Sequence, residues 1–154
     1  MKRANKGLSI FLACVLTFSI FSSFGVASAQ MDASAYLSSY GAYISPVGNG
    51  DMRIWFEVNG TGTMDDIGVT QIILESSMDG KTWTRARTYT YDLTKSDAEN
   101  DYPQMMAHNT YFNDNYVTHN GTANRYYRAY VNFYAGKDGG SSTRASYTPV
   151  VLTY

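Results

Sequence analysis

Residues 69–91 read VTQIILESSMDGKTWTRARTYTY, and this stretch decides the fold class. Its first eight residues are more continuously apolar than the other strands, with Ile72, Ile73 and Leu74 in a row, as expected of a central strand. Asp79 and Gly80 carry a turn signal, because this dipeptide accepts the positive φ values of a tight hairpin. From Thr82 to Tyr91 the chain then alternates strictly. Trp83, Arg85, Arg87, Tyr89 and Tyr91 fall on one side, and Thr82, Thr84, Ala86, Thr88 and Thr90 on the other. Two strands around a turn predict an antiparallel hairpin.

The same period of two extends in both directions, and the helical period is nearly absent. AYLSSYGAYI (35–44) reads as a strand carrying Tyr36, Tyr40 and Tyr43, and PVGNGD (46–51) as a turn. MRIWFEV (52–58) places Met52, Ile54, Phe56 and Val58 on a core face and Arg53, Trp55 and Glu57 opposite. The glycine-rich segment 59–68 reads as a loop. Beyond the hairpin, residues 92–109 are polar and broken by Pro103, and Ser96 with Glu99 has the spacing of a capping box, predicting a helical turn near 96–101. Residues 110–119 are a poorly patterned strand, and 120–124 a turn. RYYRAYVNFYA (125–135) sets Tyr127, Ala129, Val131 and Phe133 against Tyr126, Arg128, Tyr130, Asn132 and Tyr134. A hairpin loop at 136–142 leads to a last strand over 143–154, which Pro149 confines to an edge or a bulge. The expected fold is all-β: a single antiparallel sandwich of about seven strands over residues 36–154.

The N-terminus has a different character. Lys2, Arg3 and Lys6 precede an apolar run over 8–24, and Ala27, Ser28 and Ala29 supply small residues at a cleavage site. This order predicts a secretory signal peptide over 1–29, cleaved before Gln30, with 30–35 as a short lead. The rivals are a retained anchor, and lipidation at Cys14. A complete cleavage site argues against both. No second apolar run follows, so no membrane contact is expected after cleavage, and the destination is extracellular.

Cys14 is the only cysteine and lies in the leader, which excludes thiol catalysis, cysteine-based metal sites and a disulfide framework from the exported chain. Three of the twelve Lys and Arg leave with the leader, so nine face thirteen Asp and Glu, a net charge of −4. That mild acidity argues against nucleic acid as a partner. All fourteen tyrosines and both tryptophans follow the leader.

Two stretches resemble the fibronectin type III and immunoglobulin-like sandwiches. One is VTQIILESSMDGKTWTRARTY (69–89). The other is GTANRYYRAYVNFYAGKDGGSSTRASYTPVVL (121–152), with its tyrosine near the start of the penultimate strand. The chain after the leader also resembles a family of small exported proteins of Gram-positive bacteria. That resemblance implies secretion and a compact β-fold, and carries no activity with it.

No catalytic residue, metal site or cofactor is expected. His108 and His119 lie in the weakly patterned half without ligand spacing, so no enzyme is predicted. Asp65 and Asp66 lack the spacing of a calcium loop, and AGKDGGS (135–141) lacks that of a phosphate-binding loop. Asn59-Gly-Thr and Asn120-Gly-Thr have the form of glycosylation sequons but read as turns. The candidate ligand-binding residues are Trp83, Arg85, Arg87, Tyr89 and Tyr91, with Arg53, Trp55, Tyr126, Arg128, Tyr130 and Tyr134 able to extend the surface. Sugar rings stack on aromatic faces, and arginine donates to their oxygens. Cross-strand packing, with a bulge that buries part of the stripe, is the competing explanation. A second candidate surface joins the loops at 59–68 and 136–142. The functional expectation is an exported, non-enzymatic module that binds a cell-envelope glycan or an extracellular protein. The alternatives are a self-associating structural protein and a small secreted hydrolase or effector.

Overall fold

The computed structural model describes residues 34–154. The expected leader over 1–29, its cleavage before Gln30 and most of the 30–35 lead lie outside the described residues. Seven strands follow: β1 (Leu37–Gly48), β2 (Asp51–Ser77), β3 (Thr84–Thr90), β4 (Met106–His119), β5 (Tyr126–Lys137), β6 (Gly140–Tyr147) and β7 (Val151–Leu152). Two single-turn 3-10 helices, Asp97–Glu99 and Pro103–Met105, sit between β3 and β4. Among the described residues no helix is long and apolar enough to cross a membrane.

The strands form one antiparallel sheet, partly curled into the expected sandwich-like body, and β2 organises it. Residues 52–59 of β2 lie between β1 and β4. Residues 71–76 lie between β3 and β5. At 66–68 the strand is handed from one set of neighbours to the other, paired with the start of β4 and the end of β5. Strand β5 then carries β6 and β7 on its far side. Curling brings β1 over β5: Tyr40 and Phe133 have ring centroids 4.8 Å apart although their strands share no hydrogen-bond ladder.

The predicted core faces pack into this body. Met52, Ile54, Phe56 and Val58 are all buried, as are Tyr127, Ala129, Val131 and Phe133, and Ile72 and Leu74 join them from the second half of β2. Burying a large aliphatic or aromatic side chain contributes about 1.5–3 kcal/mol, and this cluster is the main source of stability in a body without disulfides.

The segment 59–68 is not a loop, and this corrects the expectation. Glycines here let a strand bend instead of reversing the chain. The bend is taken up by register breaks, between Asn59 and Met64 against β4 and between Val69 and Gln71 against β5. Gly68 is the tightest point: a Cβ there would stand 2.1 Å from the Met105 carbonyl oxygen. The second candidate surface therefore loses one of its two loops. The other survives as a tight turn, with Asp138 and Gly139 at φ 51° and 79°.

Elsewhere the departures are local. At the Asp79-Gly80 turn only Gly80 has positive φ. The loop is closed by the Asp79 carboxylate, which accepts from the backbone N–H groups of Lys81 and Thr82 at 2.8 Å each. The Ser96 box forms, with Glu99 accepting from the Ser96 backbone N–H at 3.0 Å, but supports only one 3-10 turn. The last strand breaks at Pro149. Thr148 bridges the break, its N–H donating to the Ala129 carbonyl at 2.8 Å and its hydroxyl accepting from the Ala129 N–H at 3.0 Å.

Candidate functional site: an aromatic row on the outer face

A bulge divides the predicted stripe. Leu74 stands opposite Arg87 and Glu75 opposite Arg85, so Ala86 is an extra residue in β3. One extra residue turns the following side chains to the other face. Tyr89 and Tyr91 consequently point into the core, 2% and 4% exposed. Burial pushes the Tyr89 phenol up to about 12. Arg87 remains exposed at the rim of the sheet, and its guanidinium donates to the Tyr102 hydroxyl at 3.2 Å. Trp83 and Arg85 emerge on the opposite, outer face. There the Arg128 guanidinium lies 4.3 Å from the Trp83 ring centroid and 4.5 Å from that of Tyr147, while its Nε donates to Glu75 at 2.7 Å. Trp83, Arg85, Arg87, Tyr89 and Tyr91 do not form one surface. Trp83 is held in a cross-strand stack and two of the tyrosines are core.

A different row of aromatics does share one outward face. Tyr43 on β1, Trp55 on β2 and Tyr116 on β4 are direct cross-strand partners. Their sequence neighbours Ile44, Ile54, Phe56 and Val117 are buried, so alternation sends the three rings outward. Tyr43 and Trp55 have ring planes 11° apart and centroids 6.2 Å apart, and Tyr116 follows at 4.5 Å from Trp55. Tyr43 is 54% exposed.

Polar groups flank the row on both sides. Arg53 and Thr118 are cross-strand partners on one side, the Arg53 guanidinium lying 4.9 Å from the Tyr116 centroid. On the other, Glu57 and Asp114 face each other, an arrangement that like charges disfavour. Asn59 donates to Glu57 at 2.7 Å and offsets part of that cost. Gly41 completes their row on β1, and a Cβ there would meet nothing within 4 Å, so the space above it is open. Stacking rings beside carboxylate acceptors and a guanidinium donor are the groups that hold a hydroxyl-rich ring.

The histidines have specific partners. His108 Nδ1 lies 2.6 Å from Asp66 and Nε2 3.1 Å from Asp97, and Asp97 also accepts from the Tyr91 hydroxyl. Hydrogen bonding to Asp97, and to Asp66, raises the His108 pKa, and bonds from Tyr91 and His108 lower that of Asp97. Both ring nitrogens are occupied, so His108 has none left for a metal or a substrate. His119 Nδ1 contacts the Tyr89 hydroxyl at 2.9 Å, and burial lowers its pKa. Asp65 accepts from the Asp138 N–H at 2.8 Å. Among the described residues no group of three or more His, Cys, Asp and Glu is placed to hold a metal ion.

Arg53 and Trp55 were legible as possible extensions of a binding face, whereas Tyr43 and Tyr116 were not. In sequence Tyr43 is one of several strand tyrosines, and Tyr116 lies where the alternation is weakest. Only the register between three strands unites them. No family model, curated protein or solved structure matches the chain.

Proposed function

We propose that this is an exported, non-enzymatic β-sandwich protein that binds cell-envelope glycan on the outer face of β1, β2 and β4. The leader-like N-terminus and the resemblance to small exported Gram-positive proteins support the location. The observation that carries the reading is the in-register row of Tyr43, Trp55 and Tyr116, facing out beside Glu57, Asp114 and Arg53. A glycan strand lying across the three strands stacks on the rings and exchanges hydrogen bonds with the charged rows.

Co-sedimentation with purified peptidoglycan sacculi tests it. Wild type pellets, and a Trp55→Ala, Tyr116→Ala variant with an unchanged melting temperature binds at least tenfold more weakly, about 1.4 kcal/mol. Equal pelleting of a folded variant sinks the reading. Self-association is the second reading, favoured by β6: it pairs only with β5 and has no buried residue, leaving an unpaired edge for another chain. A mass that rises with concentration in sedimentation equilibrium would select it.

A further inference from the structure

A recess separate from the aromatic row opens where β3 meets the end of β4. Arg87, Tyr89, Tyr102, Thr118, His119 and Asn120 line a depression of about 290 Å³. That volume lies at the lower end of small-molecule sites, which begin near 300 Å³. No carboxylate lines it. At its floor the buried Tyr89 hydroxyl lies 3.2 Å from the Thr118 carbonyl oxygen and 2.9 Å from His119 Nδ1, so Nδ1 is engaged in either tautomer of the ring. That leaves Nε2 as the second ring nitrogen. That atom has no partner among the described residues and is not sealed from solvent, since no buried side-chain nitrogen or oxygen lacks a partner. The Asn120 amide is likewise unpartnered, and Arg87 spends one N–H on Tyr102 and keeps the rest of its fork free.

We infer that this recess binds a small carboxylate anion, with Arg87 and Asn120 donating to its oxygens and His119, as the imidazolium, donating from Nε2. The charge count favours a monoanion. Arg87 supplies the one permanent positive charge, and a proton gained by the His119 ring supplies the second only when the anion is present. The charged groups that act on His119 are Arg87 from β3, which disfavours its protonation, and Asp51 at the start of β2, which favours it. The Tyr89 and Tyr127 rings meet it edge to face. A bound carboxylate cancels the Arg87 field, so binding and proton uptake reinforce each other.

The test is NMR of the imidazole nitrogens, titrating the protein with sodium acetate against sodium chloride at equal ionic strength. The expected result is a saturable shift of the His119 signals, a rise in the His119 pKa of at least half a unit at saturating acetate, and tighter binding at pH 5.5 than at pH 8. His108, with both nitrogens already paired, stays unmoved. Arg87→Gln and Asn120→Ala, both at exposed positions, weaken acetate at least tenfold and threefold. Three results overturn the inference: a linear drift matched by chloride, undiminished binding in folded Arg87→Gln, or inorganic phosphate binding more tightly than acetate at the same residues.

Discussion

His108 on β4 and Asp97 in the first 3-10 turn are joined at 3.1 Å, and Asp66 on β2 holds the other ring nitrogen of the same imidazole. Both contacts are hydrogen bonds only when the ring is the imidazolium, since a neutral ring can donate from one nitrogen alone. The pair thus fastens the 3-10 segment to the edge of β2 and β4 in a protonation-dependent way. The folded His108 pKa is raised, so its stabilisation is complete below the unfolded value near 6.5 and is lost as pH rises through the folded one. The folded Asp97 pKa is lowered, so its share is present above the unfolded value near 3.8 and is lost as pH falls through the folded one. Between those limits the protection of residues 92–105 against hydrogen exchange, relative to the unfolded chain at the same pH, should be greatest. His108→Gln should cost about 1 kcal/mol or less at pH 5.5, because all three side chains are more than a third exposed, and almost nothing at pH 9. Equal cost at both values would show that the contact is not ionic.

Trp83 is the first residue of the predicted binding stripe, and its structural position separates packing from recognition. Trp83→Ala removes the ring under the Arg128 guanidinium, a contact worth about 0.5–1 kcal/mol at a partly exposed site. Thermal melting should fall by that amount while sacculus binding is unchanged. A loss of binding without a loss of stability would return the glycan surface to the outer face of β3 and β5.

Two glycines distinguish close backbone approach from open surface. Gly68→Ala forces a methyl against the Met105 carbonyl oxygen and should destabilise by about 1–3 kcal/mol. Gly41→Ala meets nothing within 4 Å and should stay within about 0.5 kcal/mol. Denaturant titration of both checks the geometry, and equal effects would contradict it.

Thr148→Val keeps the shape at the Pro149 break but removes the only hydroxyl that the Ala129 N–H reaches. A buried donor left without an acceptor costs about 1–3 kcal/mol. The midpoint of urea unfolding should fall accordingly, with the slope unchanged. A neutral result would mean that the break is bridged by Thr148 backbone alone.

The alternation in 52–58 and 125–135 disclosed both core faces, because each strand has one side in water and one in the core. The capping box was legible from its spacing, whereas Pro149 pointed only to an edge or a bulge in one last strand that is in fact divided into β6 and β7. Two kinds of information were not local. The continuity of β2 through 59–68 depends on β4 and β5 supplying ladder partners to a glycine-rich segment that reads by itself as a loop. The bulge at Ala86 depends on how β3 settles against Leu74 and Glu75, and strict alternation conceals it. The candidate row was hidden for the first of these reasons: Tyr43, Trp55 and Tyr116 are brought together by register across three strands.

Strand β2 belongs to both halves of the sandwich, and this bears on how the protein folds and fails. Neither half has a complete set of strands without it, so the nucleus must order a segment whose partners lie far away in sequence. Folding should be slow for a chain of this size, because loop closure precedes the contacts that reward it. Unfolding should be all-or-none, since losing β2 from one half withdraws it from the other. Deeply protected amides of β1 and β5 should therefore exchange with one common free energy, through a single opening of the whole molecule.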